Sequence, residues 1–63
     1  MCEFTVFLEE NGEKKKIGEN VVKVRHRGGN IVMTNASGAL SKAEGATIEV
    51  VDTLMQELVL KKA

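Results

Sequence analysis

Residues 20–34 read NVVKVRHRGGNIVMT, and the fold follows from how that stretch alternates. Val22 and Val24 stand at every second position against Lys23, Arg25 and Arg27, the period-two pattern of a strand with one apolar and one solvated face. Gly28-Gly29-Asn30 supplies residues that tolerate the backbone of a tight reversal, and Ile31, Val32, Met33 and Thr34 resume the extended pattern. The stretch is predicted to be a β-hairpin.

Outward from it the same period recurs. In EFTVFLEE, residues 3–10, Phe4, Val6 and Leu8 share one face while Glu3, Thr5, Phe7 and Glu9 share the other, and Asn11-Gly12 follows as a hairpin signal. The return segment EKKKIG, residues 13–18, is short and cationic, with Lys14, Lys15 and Lys16 suited to an edge that resists pairing with other chains. Residues 35–45, NASGALSKAEG, are rich in turn-forming types around one Leu40 expected to be buried, and read as a loop with room for one short turn of strand or helix. ATIEVVD and QELVLKKA again read as strands, joined through Asp52-Thr53, Leu54 and Met55. No segment sustains a helical stripe, and there is no internal repeat or linker. The expectation is one domain over residues 1–63, all-β, folded as a small SH3-like barrel of five or six strands.

A chain this short buries only about 60% of the surface its unfolded form exposes, and usually needs a disulfide, a metal or a partner. The 63 residues contain one cysteine, Cys2, so an internal disulfide is excluded and a metal or an oligomer is left. Hydrophobic content of 43% with nine basic and nine acidic residues fits a folded chain rather than a disordered one. No basic segment leads into an apolar core of a signal peptide, and no apolar run nears the roughly 18 residues of a membrane span. A cytoplasmic protein without a membrane partner is expected, in keeping with its lone cysteine.

The alternation fails in one direction. Phe7, Val21, Val32, Val51 and Val59 fall opposite the expected core residues, so several strands look apolar on both faces. Barrel curvature and ordinary scattered exposure account for some of them. The sharper reading is a homodimer interface, since two-fold pairs are the commonest oligomers and burial contributes about 25 cal/mol per Å².

Cys2 lies beside the α-amino group. In the structural reading it is a small hydrophobe at the start of a strand. In the functional one, amine and thiolate both lose protons to a metal near neutral pH. With Met1 removed they form a five-membered chelate ring; with Met1 retained, the amine, the Cys2 amide nitrogen and the thiolate form two fused rings. Such nitrogen and sulfur donors favour nickel(II) or copper(II) over the oxygen-seeking magnesium and calcium. Two or three donors leave the site open, and a two-fold axis near the N-termini would add a second Cys2.

With its MCEFTVFL opening, its central VVKVRHRGGNIVMT and its closing ATIEVVDTLMQELVL, the chain resembles the CooT family of small nickel-binding proteins along essentially its whole length. The specific part of the likeness is the Met-Cys opening running directly into a strand. The resemblance implies an SH3-like β fold, a homodimer, nickel bound through Cys2, and a chaperone or sensor role supplying nickel to a maturation partner, carbon monoxide dehydrogenase. The same family has carried the label of predicted RNA-binding protein.

That label has a physical counterpart in Lys23, Arg25 and Arg27, a basic strand face able to track phosphates. Against it stand the zero net charge and the absence of Tyr and Trp for base stacking. His26 shares parity with Val22 and Val24 and reads as a barrel-end histidine bonded to backbone, or as a late metal ligand. No P-loop, CxxC, HExxH or paired-carboxylate signature is present, and a barrel of this size has little room for a catalytic pocket, so an enzyme is not expected.

Overall fold

The computed structural model describes residues 3–62. Six strands follow one another as β1 (Phe4–Glu10), β2 (Glu13–Arg27), β3 (Asn30–Asn35), β4 (Leu40–Glu44), β5 (Ala46–Asp52) and β6 (Glu57–Lys62). They form one sheet in the order β4-β3-β2-β1-β6-β5, antiparallel throughout except for the parallel pair β1 and β6.

The two expected hairpin turns form where the sequence signals them. Asn11 and Gly12 have φ of 54° and 79°, and Gly28 and Gly29 have 55° and 82°, so each turn has two central residues in the left-handed region that matches strand twist. Between these turns lies the first departure from the sequence reading. Residues 13–18 and 20–27 are not two strands but one, a 15-residue β2 that bends through Gly18 and Asn20. Asn20 adopts φ of 54°, and a Cβ added to Gly18 would stand 3.2 Å from a methyl of Val21, so the bend depends on a missing side chain. The first half of β2 pairs with β1 and the second with β3, which lets one strand serve two parts of a curved sheet.

The expected barrel is not closed. β4 and β5 are the two edges of the sheet and form no ladder with each other. Gly45 alone separates them, and one residue is too short to reverse a chain into a hairpin. The chain instead runs on from one edge to the other. At this corner the Gly45 N–H donates to the Gly29 carbonyl at 3.1 Å, tying the edge-to-edge passage to the β2–β3 turn. Residues 36–39 form the expected loop, but the segment after them is strand, and Leu40 is 71% exposed rather than buried.

The concave face holds the core: Val6, Val21, Ile31, Met33, Ala43, Ala46, Leu58 and Leu60, with Phe4, Leu8, Ile17 and Val24 packed against them. Burying side chains of this size stabilises by about 1.5–3 kcal/mol each. Two register shifts explain where simple alternation misassigns residues. In β2 the pairing passes from Val21↔Asn35 to Lys23↔Thr34, so Val22 is bulged and Val21, not Val22, is buried. In β5 it passes from Ile48↔Leu60 to Val50↔Val59, which turns Val51 toward the face of Leu58 and Val50 away from it. On the convex face Phe7 pairs with Val59, which is buried outside the main core, and the Lys14 ammonium sits 4.9 Å from the Phe7 ring centroid.

Candidate functional site

Where the curved sheet stays open, its core reaches solvent as a groove of about 290 Å³. Phe4 from β1, Val21, Val22 and Val24 from β2, Ile48 and Val51 from β5, and Leu58 from β6 line it, with Lys23 at the rim. Both bulges contribute, because they send Val22 and Val51 to positions that a regular strand would not give them. Val22, Ile48 and Val51 are exposed there.

The turn after Val51 continues the apolar surface. The Asp52 carboxylate accepts from the Leu54 N–H at 3.0 Å and the Met55 N–H at 2.9 Å, fixing residues 53–56 as a tight turn. This rigid turn presents Leu54, 89% exposed, and Met55, 63% exposed, to solvent. The Gln56 carbonyl accepts from the Thr5 N–H at 2.9 Å, so the turn is fastened to the beginning of β1. Groove, apolar turn and first strand therefore meet at one end of the molecule. The sequence carried a sign of this turn, two large apolar residues between strands at Leu54 and Met55, whereas the groove depended on bulges that alternation does not reveal.

Cys2, the residue expected to hold metal, and Met1 lie outside the described residues. Among the described residues there is no group of three or more His, Cys, Asp or Glu side chains able to hold a metal ion. His26 is exposed on β2, directly across from Ile31. No helix among the described residues is long and apolar enough to cross a membrane.

Lys23, Arg25 and Arg27 do share one face, the convex one. Cross-strand partners put Arg25, Val32 and Lys42 in one row, Lys23, Thr34 and Leu40 in the next, and Arg27, Asn30 and Glu44 in a third. Lys42 thus joins the basic group, a residue the sequence reading left in a loop. It pairs with Glu44 at 3.4 Å; among the described residues Lys23, Arg25 and Arg27 make no ion pair. Neither phenylalanine lies here, since Phe4 lines the groove and Phe7 is on β1 under Lys14.

Comparison with known proteins connects the chain to one family. A sequence model described as CO dehydrogenase accessory protein CooT matches residues 1–61. Among solved structures the chain is similar to a crystal structure provisionally designated CooT, from Carboxydothermus hydrogenoformans, with a TM-score of 0.87 and 18% sequence identity over 98% of each chain. At that identity the likeness concerns the fold, and it extends to the whole of the open sheet. No curated protein matches the chain.

Proposed function

This chain belongs to the CooT family of CO dehydrogenase accessory proteins, and on that premise we propose that it binds nickel(II) through Cys2 at the two-fold axis of a homodimer. Nickel is cargo in this reading, held by a chaperone or sensed before delivery during maturation of CO dehydrogenase, and the chain performs no catalysis itself. The observation that carries the proposal is the extent of the family match, which begins at residue 1 and so takes in the Met1-Cys2 opening.

The donor chemistry fits. In this reading the ligands are the terminal amine, the backbone nitrogen and the Cys2 thiolate, a set suited to nickel(II). One N-terminus leaves coordination incomplete, and a second copy supplies the missing sulfur. The apolar end of the molecule supports pairing there. Phe4, two residues after Cys2, lines the open groove, and the exposed Leu54 and Met55 adjoin it, surface that a chain of 63 residues gains stability by covering.

A nickel titration of the intact protein and of Cys2→Ser, followed by thiolate-to-nickel charge-transfer absorption and by sedimentation, tests this reading. Saturation at one nickel per two chains, lost in Cys2→Ser, is expected. Absence of a nickel-dependent band in the intact protein, or a stable monomer with and without nickel, would overturn it.

A further inference from the structure

The zero net charge conceals a segregation. Residues 21–44, the second half of β2 with β3 and β4, hold Lys23, Arg25, Arg27 and Lys42 against the single carboxylate Glu44, leaving five cations and eight carboxylates for the rest of the chain. The molecule is a dipole of about three charges at either end, and its basic part is concentrated on one face by the strand registers.

This face is also apolar at its middle. Val32 lies half-buried between Arg25 and Lys42, and Leu40, largely exposed, stands in the row with Lys23 and Thr34. Neighbouring strands are about 5 Å apart and residues two apart on a strand about 7 Å, so Arg25 and Lys42 stand roughly 10 Å apart across Val32, with Lys23 and Leu40 in the next row. A partner matching it needs carboxylates at its margins and an aliphatic ridge between them. Nucleic acid matches it poorly. The face has no aromatic side chain to stack a base, and an exposed leucine gains nothing from a phosphate backbone.

We propose that the convex face of β2, β3 and β4, with Lys23, Arg25, Arg27 and Lys42 around Val32 and Leu40, docks an acidic, apolar-ridged segment of a client protein. The proposal rests on the accessory reading only for the existence of a client. It does not call on nickel: Arg25, Arg27 and Lys42 lie away from the groove that Phe4 lines, and Lys23 stands at the rim between the two surfaces. Charge sets the rate and the choice of partner, and the Leu40 and Val32 contacts lengthen its stay.

The test uses the full chain and three labelled probes: a short peptide built of Glu and Leu, an all-Glu peptide of equal length, and an oligouridylate. The Glu/Leu peptide should bind most tightly, with affinity falling as salt rises. Arg25→Glu with Lys42→Glu should weaken it by roughly tenfold or more, and Leu40→Ser by several-fold. Lys61→Glu with Lys62→Glu changes the net charge equally but leaves this face intact, and should have much the smaller effect. Cys2→Ser, which removes nickel binding in the reading above, should leave peptide affinity unchanged. Thermal melts of each variant establish that it is folded. Tighter binding of the oligouridylate would overturn the proposal in favour of a nucleic-acid face. Equal loss in the two charge-reversed pairs, absence of peptide binding at low salt, or salt-sensitive self-association accounting for all binding would overturn it outright.

Discussion

The two ends of the concave face are finished differently. Toward the Gly45 corner, Ile31 belongs to the core cluster with Ala43 and Leu60, lies between His26 and Ala43 across the strands, and has no measurable contact with solvent. At the other end Val22, Ile48 and Val51, chemically the same kind of side chain, stand exposed around a groove. Composition does not separate these regions. What separates them is backbone geometry, since one end lies where β4 passes into β5, and at the other two register shifts bring Val22 and Val51 to the groove. A chain of this size closes one end of its core with its own strands and leaves apolar side chains exposed at the other.

The largest expected effect is at the closed end. Ile31→Ala should cost about 2–5 kcal/mol, enough to unfold most of a domain this small, whereas Val51→Ala at the open end should cost well under half of that. Urea midpoints measured at a dilution where the protein is monomeric check this pair. Equal losses would erase the distinction between the ends.

Next in size is the bend that makes the open end. Gly18→Val puts a branched side chain where even a Cβ would lie 3.2 Å from a Val21 methyl and 3.7 Å from the Val6 Cβ. Overpacking of this kind costs about 1–3 kcal/mol. The thermal midpoint should fall accordingly, with Gly18→Ala falling less. A neutral Gly18→Val would mean that β2 bends by other means than close approach.

These residues also show how far the sequence could be read. Both glycine-containing hairpin turns, the strand character of most segments and the buried Val6, Ile31, Met33, Leu58 and Leu60 follow from period two and turn chemistry alone. Alternation cannot see an extra residue in a strand, so it puts Val21 and Val51 on the face opposite to the one their registers give them, each beside a bulge. Nor can it see that a single glycine between β4 and β5 prevents a hairpin, which is why a barrel is expected and an open sheet is found. Of the functional candidates, the shared face of Lys23, Arg25 and Arg27 was legible because i, i+2 spacing suffices to define it. Lys42 was not, because its place on that face depends on pairing across β3.

A smaller effect is expected at the loop that leads into β4. The Asn35 side-chain oxygen accepts from the Ser37 N–H at 3.1 Å, the Ser37 hydroxyl at 2.7 Å and the Ala39 N–H at 3.0 Å, organising the whole loop from one residue. All three bonds are exposed, so Asn35→Ala should cost about 1 kcal/mol. Amide exchange should accelerate at Ser37 and Ala39 while Ile31 remains protected. Loss of protection at Ile31 as well would show that the edge strand and the closed core unfold together.

The smallest effect on the monomer is the most informative about the open end. Leu54 touches little of its own chain, so Leu54→Ser should change monomer stability by no more than about 0.5 kcal/mol. Covering by a second copy adds a term that depends on concentration, because association with the folded state raises apparent stability by mass action. The thermal midpoint of the unaltered protein should therefore climb with protein concentration, and that of Leu54→Ser should stay nearly flat, with the two curves meeting at high dilution. Nickel separates the contributions further. If the apolar end drives pairing, the climb is present in the apo protein and metal steepens it; if the metal alone joins the copies, the apo curve is flat and Leu54→Ser has nothing to remove. A flat curve with nickel present and absent would mean that this end meets no second copy, and that its exposed valines and leucine are not an interface between copies of this chain.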